Sequence, residues 1–133
     1  MRGIRLAALV CALAVAACGG ESESEEAAEQ NATPARARAE IVQVRKALDG
    51  AVAQLKEGDA KAADSTVSEG YLEHFEKVEG PLDKVDHELN EKLEDSIREE
   101  LREKIQDGGS VAEVTQMISA IKADLATAEQ KLQ

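Results

Sequence analysis

The chain contains no tryptophan, one tyrosine and one phenylalanine in 133 residues. A core of large rings is therefore excluded, and any interior must interdigitate the small aliphatic side chains of Ala, Leu, Val and Ile. That favours packed helices of modest stability. There are two cysteines, Cys11 and Cys18, both near the start of the chain. Once a leader containing Cys11 is removed, no internal disulfide can form. No stretch reads as a strand. There is no Gly-rich phosphate loop, and the few serines and threonines form no nucleophile–base motif with His74 or His87, so an enzyme is the least favoured class. Bases are the minority charge, 16 against 27 acids. That balance argues against nucleic acid as a partner and serves solubility first.

The length, less a removable leader, leaves room for one small domain. Arg2 and Arg5 precede an apolar run over residues 6–17, LAALVCALAVAA. The run is too short for a permanent membrane helix and predicts a signal peptide over residues 1–17. It ends in Val15-Ala16-Ala17-Cys18, which resembles the lipobox of bacterial lipoproteins and implies a covalent lipid on Cys18. Acyl chains there would hold the protein to the membrane on the extracytoplasmic side of the cell envelope. Gly19 after the cysteine favours the periplasmic face of the outer membrane where the cell has two membranes. Without Arg2 and Arg5 the chain carries 27 acids against 14 bases, or −13. Residues 18–33 follow as the lipidated cysteine and an acidic linker with five glutamates and no base. Such a segment buries too little to offset its ordering entropy and is expected to be a disordered, self-repelling tether.

Residues 34–133 predict four amphipathic helices. Thr33 caps the first with Pro34 at its first position, and Ile41, Val44, Leu48, Ala51 and Leu55 form its apolar stripe. Gly58 ends it and Asp59 caps the second, whose inner face is Ala60, Ala63, Val67, Tyr71, Phe75 and Val78, with a stop expected at Gly80-Pro81. The third begins between Pro81 and Asp86 and carries Val85, Leu89, Leu93, Ile97, Leu101 and Ile105 at strict steps of four. That spacing drifts about 40° per step on an α-helix, so the stripe should wind round and meet more than one neighbour. After the turn Asp107-Gly108-Gly109, Ser110 and Glu113 make a capping box. The fourth helix has a seam of Val111, Val114, Ile118, Ile121, Leu125, Ala128 and Leu132. The expected fold is all-α, an antiparallel up-down four-helix bundle. The alternative is a pair of long hairpins that complete their core only as a homodimer.

Residues 70–94 hold both aromatic residues and both histidines. On a helical wheel Tyr71, Phe75, Val78 and Leu82 form the core line. Glu79 falls on the flank of that line and Glu76 just outside it, while Glu73 and His74 point away. A glutamate beside the core is costly unless paired or ligated. In the third helix Asp86, Asn90 and Glu100 fall near the apolar centre, with Glu94 at its edge. Packed antiparallel, the two helices would bring Glu76 and Glu79 towards Asp83, Asp86, His87 and Asn90, an oxygen-rich set suited to iron, manganese or calcium. No Glu-x-x-His pair of the kind that marks metal sites in bundles is present. The competing reading of the same acids is ordinary surface ion pairing with Lys77, Lys84 and Lys92.

The residues Gly58-Asp59-Ala60 with Ala62-Ala63, then Tyr71-Leu72-x-x-Phe75-Glu76-x-Val78-Glu79-x-x-Leu82, then Asp86-x-x-Leu89-x-x-x-x-Glu94, resemble the extracytoplasmic helical domain attached to bacterial high-affinity, oxidase-linked iron permeases. The resemblance covers residues 47–132. The chain lacks the permease's membrane spans and Arg-Glu-Gly-x-Glu motifs, so the resemblance implies a detached, lipid-tethered accessory rather than the transporter. It has Asp86-His87 where that domain often has Asp-Pro. The resemblance singles out Glu76, Glu79 and Glu94, with Tyr71 and Phe75 as packing residues. That these carboxylates face iron is an expectation from their chemistry, and the domain could equally serve to dock partners. Two functions follow as expectations. One is an accessory of iron uptake that binds iron or docks to an iron permease. The other is an adaptor lipoprotein that binds another envelope protein through an exposed apolar stripe and holds no metal.

Overall fold

A computed structural model describes residues 33–133. The expected signal peptide, the lipid on Cys18 and the acidic linker up to residue 32 lie outside the described residues. Those described form four helices and no strand. Helix α1 is Pro34–Lys56, and α2 runs unbroken through residues 60–83 as Ala60–Gly70, Tyr71–Phe75 and Glu76–Asp83. Helix α3 covers residues 87–106 as His87–Asp95, Ser96–Glu100 and Leu101–Gln106, and α4 is Val111–Lys131.

The connections are local chemistry. Thr33 accepts from the Arg36 N–H at 3.2 Å, ahead of Pro34 at the first helical position. Gly58 and Gly108 take positive φ, 84° and 76°, the left-handed conformation that commonly closes a helix. In each case the next residue returns an N–H to a carbonyl five residues back: Asp59 to Gln54 at 2.9 Å, Gly109 to Lys104 at 2.9 Å. Asp59 then caps α2 through Ala62 N–H, and Ser110 and Glu113 complete the reciprocal capping box of α4.

Pairs between helices set the topology. Glu40 meets His74 and Ala47 lies against Gly70, so α1 and α2 are antiparallel. Asp64 meets Arg102 and Gln106, Lys92 meets Asp124 and Asp86 meets Lys131, which makes α2–α3 and α3–α4 antiparallel as well. Arg45–Glu129 and Asp49–Lys122 close α4 back onto α1. The predicted up-down bundle is thus complete within one chain. The α4 seam from Val114 to Leu132 is buried inside it, where the dimeric alternative would have left it to a partner.

Three expectations are corrected. The second helix does not stop at Gly80-Pro81 but continues to Asp83 with Pro81 inside it. Pro81 and Leu82 are both buried, and that apolar contact offsets the donor that proline removes. Val85 is 51% exposed in the α2–α3 connection rather than on the α3 stripe, because Asp86 is the N-cap of α3. The stripes with steps of four do not simply wind. Tyr71–Phe75 and Ser96–Glu100 are π-helical turns, each inserting one extra residue into its helix. An extra residue resets roughly 100° of accumulated drift, so Ala63, Val67, Tyr71 and Phe75 stay inside, as do Leu93, Ile97, Leu101 and Ile105. The third helix nonetheless meets two neighbours, α2 and α4, as its stripe implied.

Gly50 lies mid-helix in α1 where an added Cβ would meet only Thr66 Cγ2 at 3.6 Å, an ordinary contact. Gly50→Ala is therefore expected to stabilise the bundle by about 0.5–1 kcal/mol through helix propensity alone. Urea unfolding checks this, and a lowered midpoint would contradict it.

Candidate functional site

The two π turns face one another across the α2–α3 interface, and the polar side chains around them are the structure's candidate site. Tyr71, at 5% exposure, donates its hydroxyl to Glu79 Oε1 at 2.6 Å. Two helical turns separate the pair, and the π turn between them keeps both on the α3 side. The Arg98 guanidinium lies 6.0 Å from the Tyr71 ring centroid and donates to Glu94 at 2.7 Å and Glu99 at 3.0 Å. Phe75 stacks beside Tyr71 with centroids 5.8 Å apart and is fully buried.

Burial first, then the hydrogen bond to Glu79 and the charges of Glu79 and Glu94, push the Tyr71 phenol far above its ordinary value. A raised folded-state value means that the protonated phenol contributes stability fully below about pH 10, the unfolded value, and loses it as pH rises beyond. Tyr71 is the chain's one tyrosine, so phenolate absorbance reads it alone. In the folded protein no phenolate signal is expected near pH 10. It should rise together with loss of helical circular dichroism at more alkaline pH. A separate titration near pH 10 with the helix intact would place Tyr71 in solvent.

The sequence-predicted ligands fall into two groups. Glu79 and Glu94 flank Tyr71, with Glu76 half-buried on the same leg of the hairpin. Asp86 and His87 stand instead at the start of α3. Asp86 accepts from the Leu89 N–H at 3.1 Å as the helix cap and from Lys131 at 2.9 Å, and Lys131 first among these holds its carboxyl below the usual range. His87 is 64% exposed, with Nδ1 2.5 Å from Asp83 and Nε2 3.4 Å from Glu91. The Asp83 hydrogen bond, then the Glu91 charge, raise its pKa. That contribution to stability is present below about pH 6.5 and is lost as pH rises through the folded value. Among the described residues no group of three or more His, Cys, Asp and Glu side chains is arranged to hold a metal ion. Among the lysines expected to pair with these acids, Lys92 reaches Asp124 on α4 instead.

No protein-family model, curated protein or solved structure matches the chain.

Two further placements differ from the wheel. His74 does not point away: it sits between helices, its Nδ1 2.8 Å from Glu40 Oε2. Glu100, expected near the apolar centre, is exposed, because the π turn at Ser96–Glu100 rotates it outward. Asn90 is 7% exposed, as its place near the centre implied, and its Oδ1 meets no donor among the described residues. Sequence reasoning missed Arg98 and Arg102. Arg98 carried a readable signal, its spacing of four from Glu94. Arg102 did not, because Asp64, whose carboxyl it grips at 2.8 Å and holds below the usual range, lies on another helix.

Proposed function

We propose that the chain is a lipid-tethered envelope lipoprotein whose four-helix bundle works as an adaptor, docking to another envelope protein. The observation that supports this reading is the engagement of the hairpin's carboxylates by internal donors: Glu79 by Tyr71, Glu94 by Arg98 and Asp86 by Lys131. Asp86–Lys131 ties α3 to α4, while the other two pairs brace α2 and α3 along their own length. Each donor takes up part of a carboxylate's accepting capacity, and Arg98 and Lys131 offset the negative charge that would draw a cation. The iron-permease complex is the partner towards which the resemblance over residues 47–132 points, so the accessory role in iron uptake is here a docking role. The exposed large apolar side chains Val42, Leu72 and Val85 are spread over α1, α2 and the α2–α3 connection rather than forming one stripe. Docking therefore rests on polar surface with single apolar contacts.

A second reading, in which the bundle binds and hands on iron, is favoured by one observation. Tyr71 and Glu79 bring two oxygen donors together, with the charge of Glu94 acting on the same phenol, and hard oxygen donors suit ferric iron.

Titration calorimetry of the purified chain with ferric citrate, anaerobic ferrous iron, manganese and calcium separates the two. The adaptor reading expects no binding tighter than about millimolar. Saturable binding near one equivalent, lost in a Glu76→Gln/Glu79→Gln double variant, would replace it with the second reading. The tether is tested by Cys18→Ser, which should move the protein from the membrane to the soluble fraction. Photo-crosslinkers at the exposed positions Leu72 and Val85 should then give one discrete adduct in cells that depends on Cys18. Absence of any adduct from both positions would count against docking at this hairpin.

A further inference from the structure

We propose that the tip of the α2–α3 hairpin, residues 76–95, is a hinged arm that opens as one unit from the rest of the bundle about a line joining the two π turns. The hinge is defined by backbone hydrogen bonds. The Glu76 N–H donates to the Tyr71 carbonyl and the Leu101 N–H to the Ser96 carbonyl, each spanning one residue more than the regular helical bond. Both irregular turns lie at the same level, since Arg98 in one sits over the Tyr71 ring of the other. The two legs of the hairpin therefore have their interrupted turns at one level, bridged by side chains, and a rotation there bends both together.

Beyond the hinge the helical pieces are short, 8 residues in Glu76–Asp83 and 9 in His87–Asp95. Segments of that length do not hold helical structure alone, and the first also contains Pro81, which offers no N–H to the ladder. The arm's ties to α4 are Lys92–Asp124 and Lys131–Asp86, through lysines 60% and 47% exposed. Exposed pairs of this kind contribute little to stability. Below the hinge the ties are of another kind. Asp64 is gripped by Arg102 and Gln106 together, and Gly70 lets α2 close directly onto Ala47 of α1.

What keeps the arm shut is the packing of Glu76–Asp83 against α1, with Val78, Pro81, Leu82 and Leu93 buried, and the Tyr71–Glu79 and Arg98–Glu94 clasps that cross the hinge. Opening uncovers those four apolar side chains and the α1 surface they pack on, with Phe75 at the base and the amide of Asn90. The arm is thus the part of the fold that can change its apolar surface without unfolding the remainder.

Native-state hydrogen exchange read by mass spectrometry on the purified chain tests this. Amides in 77–82 and 88–95 should share one opening free energy and exchange at least about tenfold faster than those in 63–70 and 101–105. Tyr71→Phe, which removes one clasp and keeps the ring, should speed the arm by roughly 2–10-fold and leave the body unchanged. Equal exchange in arm and body, or different opening energies in the two legs, would overturn the hinge. Acceleration of all four helices alike by Tyr71→Phe, or no acceleration of the arm, would overturn the role of the clasp.

Discussion

Phe75→Ala is expected to lower the bundle's stability by about 3–5 kcal/mol, the range for removing a buried phenylalanine ring. Phe75 is fully buried in the π turn of α2, stacked on Tyr71. It is the largest of the fully buried side chains, and the one other ring in the interior, Tyr71, is held in place by its hydrogen bond to Glu79, so the void is not readily refilled. A domain of this size has only about 5–15 kcal/mol in total, and the loss would take a large fraction of it. Thermal unfolding should show a midpoint lowered by more than about 12 °C, at roughly 4–8 °C per kcal/mol. A fall below about 5 °C would mean that the ring is not packed as described. Phe75→Leu, which restores most of the volume, should cost much less.

Gly70→Ala is the second large effect, and two opposed terms decide its sign. The substitution gains roughly 0.5–1 kcal/mol from helix propensity. An added Cβ, however, would stand 2.7 Å from the Ala47 Cβ on α1, closer than two carbons can approach. Both atoms are fixed to helical backbone, so relief requires the helices to move apart, a disturbance that typically costs about 1–3 kcal/mol. With both atoms fixed to backbone the clash outweighs the propensity gain, and a net loss of up to about 2.5 kcal/mol is expected from these two ranges. Ala47→Gly in the same chain should recover most of it, and urea unfolding of the four members of that cycle measures the coupling. Additive effects at the two positions would show that the helices do not meet there. The contrast with Gly50, where the space is open, separates glycine kept for contact from glycine merely tolerated.

The bundle was legible because its signals are local. Thr33-Pro34, Gly58-Asp59 and Ser110–Glu113 each act within a few residues of chain, and each cap forms as its spacing implied. The α4 seam was equally plain, since steps of three and four need no correction on an α-helix. The π turns were written in the sequence as unbroken steps of four, but a wheel drawn at a constant 100° per residue converts that pattern into a winding stripe. The same fixed wheel misplaced His74 and Glu100, both of which lie inside the irregular turns. Glu79 could be flagged as an acid needing a partner, yet its partner Tyr71 had been assigned wholly to packing. A buried phenol does both: its ring fills the core and its hydroxyl remains a donor. Asp64 with Arg102 and Gln106 had no signature, because their meeting depends on how two helices align rather than on either one alone.

The pairing of α1 with α4 gives the molecule a direction in space. Arg38, one turn into α1, reaches the carbonyl of Leu132 just past the end of α4. The entry of the bundle and the close of its last helix therefore share one pole, together with the arm's tip at residues 84–86. The opposite pole carries the two glycine turns, at Gly58 and Gly108. Helix α1 has 23 residues and so sets the poles about 35 Å apart. On the lipid tether proposed above, the chain would enter the bundle at the pole that carries the arm's tip, with the glycine turns at the far end. A reporter inserted at Gly108-Gly109 would stand about one helix length from the pole at which residue 33 enters, whereas one joined to Gln133 would sit beside it.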